Sequence, residues 1–144
     1  MVERCAWEVI ADMSTDVVVV LAAVVERDGR FLVTRRLADT HLSGYWEFPG
    51  GKCEAGESHE ACLRREIREE LGVGVEVGAE MVVTEHAYPE RTVRLHFRSC
   101  RIDAEPQRLL GQEMRWVTPE EMKAIEFPEA DRDLIAALTR CGNG

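Results

Sequence analysis

Hydrophobic residues follow two different periods along the chain, and these separate predicted strands from predicted helices. A continuous β-branched run at residues 17–26 predicts a strand buried on both faces, followed by a turn and a second strand at residues 31–36. Residues 91–102 alternate apolar and polar side chains, which is typical of a half-buried strand. Further strands are predicted at residues 46–48, 75–86 and 115–117.

The strongest helical pattern lies at residues 58–71. Ser58 is a favourable N-cap, and Gly72 supplies a C-terminal stop. Residues three and four apart are neighbours on a helix, so one face carries three crowded carboxylates: Glu66, Glu69 and Glu70. Like charges one turn apart repel by a few tenths of a kcal/mol. Two interpretations follow: a solvated acidic surface, or a site for a hard divalent cation.

Two shorter helices are predicted near the C-terminus. Thr118 is an N-cap followed by Pro119 at the first helical position, and Phe127-Pro128 leads into a last helix at residues 129–140. The order is therefore strands, helix, strands, helices, with a sheet hydrophobic enough to need cover on both faces. This order predicts an α/β (α+β) fold in which helices sandwich a mixed β-sheet.

Composition limits the possible partners. At 144 residues and 45% hydrophobic, the chain has room for one ordinary domain, which we assign to residues 17–144 after an extension of unknown role at residues 1–16. With 27 acidic against 18 basic residues, the net charge is −9, so direct binding to a nucleic-acid backbone is not expected. The five cysteines contain no CxxC pair, and no apolar run spans a membrane. We expect a cytoplasmic protein, monomeric or homodimeric, with no membrane association.

The acidic helix belongs to a longer motif that begins at Gly51. Five residues separate Gly51 from Glu57, and seven more lead to Arg65-Glu66-Ile67, with Glu69-Glu70 and Gly72-Val73 each one residue further on. This spacing matches the Nudix box at every fixed position, so the chain resembles the Nudix hydrolases. From about residue 17 to residue 138 it is similar to the MutT-type nucleoside triphosphate pyrophosphohydrolases. The resemblance implies an α/β/α sandwich and Mg²⁺-dependent release of a nucleoside monophosphate and pyrophosphate.

The same resemblance implies a metal site. It assigns Mg²⁺, or alternatively Mn²⁺, to Glu66, Glu69 and Glu70 with the carbonyl of Gly50, and gives one of these glutamates or a loop glutamate the role of general base. Relatives of this type often carry a glutamate six residues before Trp116. This chain has Leu110 there, and none of the nearby glutamates is a secure replacement: Glu85, Glu90 and Glu113.

Arg65 and Glu57 are interpreted as a structural pair that pins the loop to the helix. A contact from Arg65 to a substrate phosphate is the alternative, which we favour less because Arg65 lies off the carboxylate face. Among the histidines, we interpret His59 as exposed on the first helical turn and His96 as lying on a strand face.

Four residues are candidates for contact with a nucleoside triphosphate. Arg36 and Arg91 are expected to bind phosphates, with surface charge as the alternative, and Phe48 to stack on or wall the base, with a core position as the alternative. Asp131 stands where relatives that act on 8-oxo-dGTP have Asn. An ionised carboxylate only accepts hydrogen bonds, which suits the amine of cytosine or the N1–H and N2–H₂ edge of guanine. The alternative is that Asp131 caps the last helix.

Three functions compete on these grounds. The leading one is a MutT-type pyrophosphohydrolase acting on an oxidised or non-canonical nucleotide, 8-oxo-dGTP or of cytidine type. The second is a Nudix pyrophosphatase for another nucleoside diphosphate derivative, and the third is a non-catalytic nucleotide-binding module.

Overall fold

Seven strands form the sheet in the ranges that the structure, a computed structural model, describes: residues 17–35 and 44–142. The strands are β1 (Val17–Arg27), β2 (Arg30–Arg35), β3 (Trp46–Glu47), β4 (Gly50–Lys52), β5 (Val75–Ala87), β6 (Thr92–Ile102) and β7 (Glu113–Val117). The helices are α1 (His59–Leu71), α2 (Pro119–Met122) and α3 (Arg132–Gly142), with a 3₁₀ turn at Glu129–Asp131 before α3. The predicted extension at residues 1–16 and the candidate Arg36 lie outside the described residues.

β1 is the central strand of a mixed sheet. The strand order is β3-β2-β1-β6-β5, with β4 also pairing with β1 and β7 with β2. β1 and β6 run parallel, from the pair Val17 and Thr92 to the pair Val25 and Cys100, and the other pairs are antiparallel. The prediction of a mixed sheet is confirmed.

The two faces of β1 build two cores. Successive strand residues point to opposite faces, so Leu21 and Val25 pack under α1, whereas Ala22 and Val24 pack under the C-terminal helices. From α1 the first core receives Cys62, Leu63, Ile67 and Leu71. From α2 and α3 the second core receives Met122, Leu134 and Leu138. The predicted α/β/α sandwich is confirmed, and none of the described helices is long and apolar enough to span a membrane.

The ends of α1 follow local capping chemistry. Ser58 Oγ accepts a hydrogen bond of 3.0 Å from the amide of Ala61, and Gly72 closes the helix in the left-handed region, where its amide donates to the Arg68 carbonyl. The predicted helix at residues 58–71 therefore has the right bounds. The last helix differs from the prediction because it opens as a 3₁₀ turn.

The Gly50-Gly51 segment belongs to strand β4, because its backbone comes close enough to pair with Val20, Leu21 and Ala22 of β1. The interpretation of His59 as exposed is wrong. His96 is only 9% exposed, since α1 covers that side of β6, and His59 is half-buried against it with ring centroids 4.5 Å apart.

Candidate active site

α1 presses part of its carboxylate face onto the β3–β4 segment. The side chain of Glu66 is 14% exposed and lies against Gly51 so closely that a Cβ on residue 51 would be 2.6 Å from Glu66 Oε2. Burial raises the pKa of Glu70 well above its usual range, reinforced by a hydrogen bond to Glu66 and by the charges of Glu66 and Glu47, while a backbone hydrogen bond from Gly50 acts the other way. Glu66 and Glu70 thus form the buried part of the predicted cluster.

Glu69 lies at the solvent edge of the same face. Its side chain is 58% exposed, and its Oε1 is 3.5 Å from a guanidinium nitrogen of Arg65. The three predicted carboxylates are therefore not equivalent: two are packed against the β3–β4 segment and one is accessible.

Arg65 is fully engaged by the loop and the helix. It donates to both carboxylate oxygens of Glu57, at 2.6 and 2.9 Å, to the carbonyl of Lys52 at 3.1 Å, and to Glu66 Oε2 at 2.9 Å. Arg65 and the amide of Glu54 hold the pKa of Glu57 at about 2. The predicted contact between Arg65 and Glu57 is present, and it leaves little donor capacity for a substrate phosphate.

The carboxylate cluster fits a hard divalent cation. Glu66 lies close enough to Glu70 to raise the pKa of Glu70, and the charge of Glu47 adds to that effect. A Mg²⁺ or Mn²⁺ ion prefers oxygen ligands and would relieve this crowding. Because Gly51 has no side chain, the Glu66 carboxylate can lie directly against the backbone of β4.

Glu47 is a member of this region that the sequence reasoning missed. It lies on β3 directly before Phe48, and its charge raises the pKa of both Glu70 and Asp131. Its position immediately upstream of the Phe-Pro-Gly-Gly segment was the available signal.

Phe48 is part of the second core. It is 5% exposed, stacks on Phe127 with centroids 5.5 Å apart, and meets Phe97 edge-on at 5.9 Å. Because Phe48 is buried, its ring has no free face on which a base could stack. Phe48 could therefore contribute to a base pocket only as part of its wall.

Asp131 is a buried carboxyl at the start of α3. It is 5% exposed, and burial raises its pKa to about 7, with a further contribution from the charge of Glu47. Among the described residues, no hydrogen bond from a backbone amide contributes to the pKa of Asp131, which weighs against the helix-cap alternative. On β5, Thr84 Oγ1 donates a hydrogen bond of 3.4 Å to the carbonyl of Ala130, the residue before Asp131.

Arg91 is exposed in the turn between β5 and β6, where reciprocal backbone hydrogen bonds of 2.7 and 3.2 Å join it to Tyr88. It borders a groove of about 570 Å³ together with Glu57 and His59. Arg91 thus faces the loop that leads into α1. A groove of about 580 Å³ beside Phe31 and Leu138 borders none of the predicted site residues.

Two of the other glutamates considered as a base have arginine partners. Glu113 is ion-paired with Arg35, and Glu85 with Arg94 at 2.7 Å. The segment around Leu110 closes the C-terminal end of α1, since Gln112 donates to the Glu70 carbonyl at 3.0 Å and accepts from the Leu110 amide at 2.9 Å. Leu110 itself is 55% exposed.

Comparison with known families identifies the chain. A family model of the NUDIX domain matches residues 20–137. The chain belongs to the NUDIX family. The resemblance drawn from the box is confirmed, and so is the prediction that the protein is a Nudix hydrolase.

Relatives of this NUDIX enzyme align over most of its length. A CTP pyrophosphohydrolase of Escherichia coli strain K12 is 37% identical over 116 residues, covering 80% of this chain and 84% of that protein. An 8-oxo-dGTP diphosphatase of the same strain is 32% identical over 123 residues, covering 85% and 95%. The solution structure of the E. coli ORF135 protein superposes with a TM-score of 0.79 at 34% identity, covering 88% of this chain and 91% of that one.

Proposed function

We propose that this NUDIX enzyme is a divalent-metal-dependent nucleoside triphosphate pyrophosphohydrolase that releases a nucleoside monophosphate and pyrophosphate. The observation that carries the proposal is the packing of Glu66 against Gly51 and of Glu70 against the Gly50 amide, with Glu47 close by. This packing concentrates carboxylates at one place, where a cation could meet a phosphate chain. The names of the two E. coli relatives support this reaction class.

Glu66, Glu69 and Glu70, with the carbonyl of Gly50, would hold the cation. When bound, a divalent ion such as Mg²⁺ supplies charge neutralisation for the phosphates and lowers the pKa of a bound water. The net charge of −9 makes this neutralisation necessary, because the protein as a whole repels a polyanion.

The chain's own residues orient this cluster and accept the proton. Arg65 donates to Glu66 Oε2 at 2.9 Å and also to Glu57, so it ties the loop to the helix and orients the Glu66 carboxylate. A carboxylate of the cluster accepts the proton of the attacking water. Glu47 joins the three box glutamates as a candidate for this base, whereas Glu85 and Glu113 are already paired with arginines.

Asp131 supplies the recognition of the base. With a pKa of about 7, its carboxyl is present in both forms near neutral pH, and the approach of a donor favours the ionised form. The substrates that fit are those whose base presents donors: the exocyclic amine of cytosine, or the N1–H and N2–H₂ edge of guanine and 8-oxoguanine. Phe127 and Phe48 stack on each other beside this segment and form an apolar wall. We assign the phosphate chain to Arg91 and, outside the described residues, to Arg36.

The experiment is an initial-rate screen with Mg²⁺. It compares cytidine, guanosine and 8-oxoguanosine triphosphates, in ribo and deoxy forms, with adenosine and uridine triphosphates, nucleoside diphosphate sugars and dinucleotides. We expect the highest kcat/KM for a cytidine, guanosine or 8-oxoguanosine triphosphate. Hydrolysis of diphosphate derivatives alone would indicate a Nudix pyrophosphatase for another nucleoside diphosphate derivative. Nucleotide binding without hydrolysis would indicate a non-catalytic nucleotide-binding module.

A further inference from the structure

Three side chains with metal-ligand atoms meet between α1 and the β5–β6 pair. His59 lies in the first turn of α1, Glu80 on β5 and His96 on β6. One ligand atom from each, a ring nitrogen from each histidine and a carboxylate oxygen, lies within 4.8 Å of the others. None of the three is a fixed position of the Nudix box, and the proposed reaction gives none of them a role.

The spacing inside this cluster is close to that of ligands on one ion. His96 Nδ1 lies 3.1 Å from Glu80 Oε2, and the His59 and His96 rings have centroids 4.5 Å apart. Two ligands of a tetrahedral zinc ion, each about 2.0–2.1 Å from the metal, are about 3.3 Å apart. His96 and Glu80, which are joined by a hydrogen bond of 3.1 Å, are already near this separation, and His59 lies beside them.

The fold holds the cluster in position. His96 is 9% exposed beneath α1, and Glu80 is flanked on both sides by shifts in the pairing register between β5 and β6. Such bulges redirect the side chains of a strand. The regular pairing of the sheet is thus interrupted at Glu80. The Glu80 side chain is 37% exposed, which leaves the cluster a path to solvent.

The donor set selects a class of ion. A neutral imidazole keeps one nitrogen lone pair for a metal, and two imidazoles with one carboxylate suit Zn²⁺ and similar transition-metal ions rather than Mg²⁺. Two histidines with one glutamate are also a known three-ligand set for zinc, which leaves a fourth position for water. We propose that His59, Glu80 and His96 form a second metal site that takes a transition-metal ion of the Zn²⁺ class.

This site is separate from the carboxylate cluster. His59 precedes Glu66 by two helical turns, which is about 10 Å along the axis of α1. A bound ion would therefore join the start of α1 to β5 and β6 and stabilise their packing, without being a ligand of the substrate phosphates.

A second group of potential ligands, Cys53, Glu57 and Cys62, provides the competing location. Glu57 is held by two hydrogen bonds from Arg65. Burial raises the pKa of the Cys62 thiol, which opposes formation of the thiolate that a metal requires. We therefore use this group as the control.

The test is calorimetric titration of the EDTA-treated, dialysed 144-residue protein with Zn²⁺, in excess Mg²⁺ to occupy the carboxylate cluster and with a non-thiol reductant. We expect one Zn²⁺ ion to bind with an affinity that falls at least about tenfold in His59→Gln, Glu80→Gln and His96→Gln. Zn²⁺ should raise the Tm of the wild type, and this rise should be lost in the same variants. The matched controls are His86→Gln, a histidine on the same strand as Glu80, and Cys53→Ser; both should retain binding.

Co²⁺ absorption provides a second readout, because a site of nitrogen and oxygen ligands lacks the thiolate charge-transfer band of a cysteine site. If His96→Gln misfolds because of its burial, the more exposed Glu80→Gln and His59→Gln still decide the question. The proposal is overturned if no Zn²⁺ binds in the presence of excess Mg²⁺. It is also overturned if the histidine and Glu80 variants bind Zn²⁺ as tightly as the wild type does, or if Cys53→Ser abolishes Zn²⁺ binding.

Discussion

Gly51 touches the carboxylate of Glu66 so closely that no side chain fits between them: a Cβ on residue 51 would lie 2.6 Å from Glu66 Oε2. The direction in which the Glu66 carboxylate points thus depends on the absence of a side chain at Gly51 of β4. This explains in physical terms why the first glycine of the motif and its second glutamate occur together, although fifteen positions separate residues 51 and 66.

Gly51→Ala should therefore impair chemistry more than stability. The added methyl must push Glu66 aside by a distance of the order of an ångström, which costs about 10²-fold in rate when catalytic geometry is strict. The neighbour that has to move is a side chain, so Tm should change little. Steady-state kinetics with thermal melting checks both expectations.

Two other glycines provide controls for this variant. Gly56→Ala adds a methyl with no atom within 4 Å and tests only the strain of its φ of +81°. Gly50→Ala would place a Cβ 2.9 Å from Ala22 Cα of β1, so it should lower Tm instead. A Gly51→Ala enzyme with the wild-type rate would contradict the assigned position of Glu66.

The box carboxylates should be required for metal-dependent turnover. Glu66→Gln, Glu69→Gln and Glu70→Gln are each expected to lower kcat by at least about 10²-fold, the size typical of removing a group that stabilises transition-state charge. Each should also reduce the rise in Tm that Mg²⁺ produces in the wild type. Kinetics and melting with Mg²⁺ or EDTA measure the two effects.

Glu60 supplies the matched control, since it is an exposed glutamate in the first turn of the same helix. Glu60→Gln should retain both the rate and the Mg²⁺-dependent Tm. Variants of Glu66, Glu69 and Glu70 that all turn over normally at saturating Mg²⁺ would show that the metal binds elsewhere.

Much of this architecture was predictable because its causes are local. Ser58 and Gly72 set the ends of α1 through their own hydrogen bonds, and helical periodicity alone puts Glu66 beside Glu70. The continuous apolar run in β1 reflects cover from helices on both faces. These features need no knowledge of what the segment packs against.

The features that escaped prediction depend on distant pairing. The burial of His96 results from α1 lying over β6, and the approach of Glu80 depends on two register shifts that no sequence period encodes. Glu47 acts on Glu70 only because β3 and α1 come together in space. Strand alternation could put His96 on a strand face, but only the packing of α1 over β6 buries that face.

Asp131 should control the choice of base. Losing the partner of a buried donor costs about 1–3 kcal/mol, so Asp131→Ala should lower kcat/KM for the best triphosphate by roughly 5- to 150-fold. Asp131→Asn keeps one acceptor and adds a donor, so it should change the ratio of kcat/KM among cytidine, guanine and 8-oxoguanine triphosphates. Asp133→Asn, an exposed acid in the first turn of α3, is the control. Ratios that stay constant in both Asp131 variants would leave the residue with a structural role only.

Asp131 should also make the stability of the ligand-free protein depend on pH. Its pKa is about 7 instead of 3.8, because burial disfavours the charged form. The native state thus holds the proton more tightly than the unfolded chain does. The stabilisation is complete below about pH 4 and is lost as the pH rises to about 7.

Asp131→Asn removes this dependence, since an amide is uncharged throughout. Relative to the wild type, the variant should gain free energy of unfolding between about pH 4 and about pH 8, by at most about 4 kcal/mol at 1.36 kcal/mol per pKa unit. Urea denaturation of both proteins across this range measures the difference. A difference that is constant with pH would contradict the raised pKa.

The most direct test of the account is identification of the products formed from the preferred triphosphate in Mg²⁺ and in EDTA. Anion-exchange chromatography, with ³¹P NMR of the same samples, should find nucleoside monophosphate and pyrophosphate in equal amounts with Mg²⁺. It should find no turnover in EDTA, and turnover at least about 10²-fold slower in Glu70→Gln. Formation of nucleoside diphosphate and inorganic phosphate, or an equal rate in EDTA, would contradict the claim that this carboxylate cluster carries a metal-dependent pyrophosphohydrolase reaction.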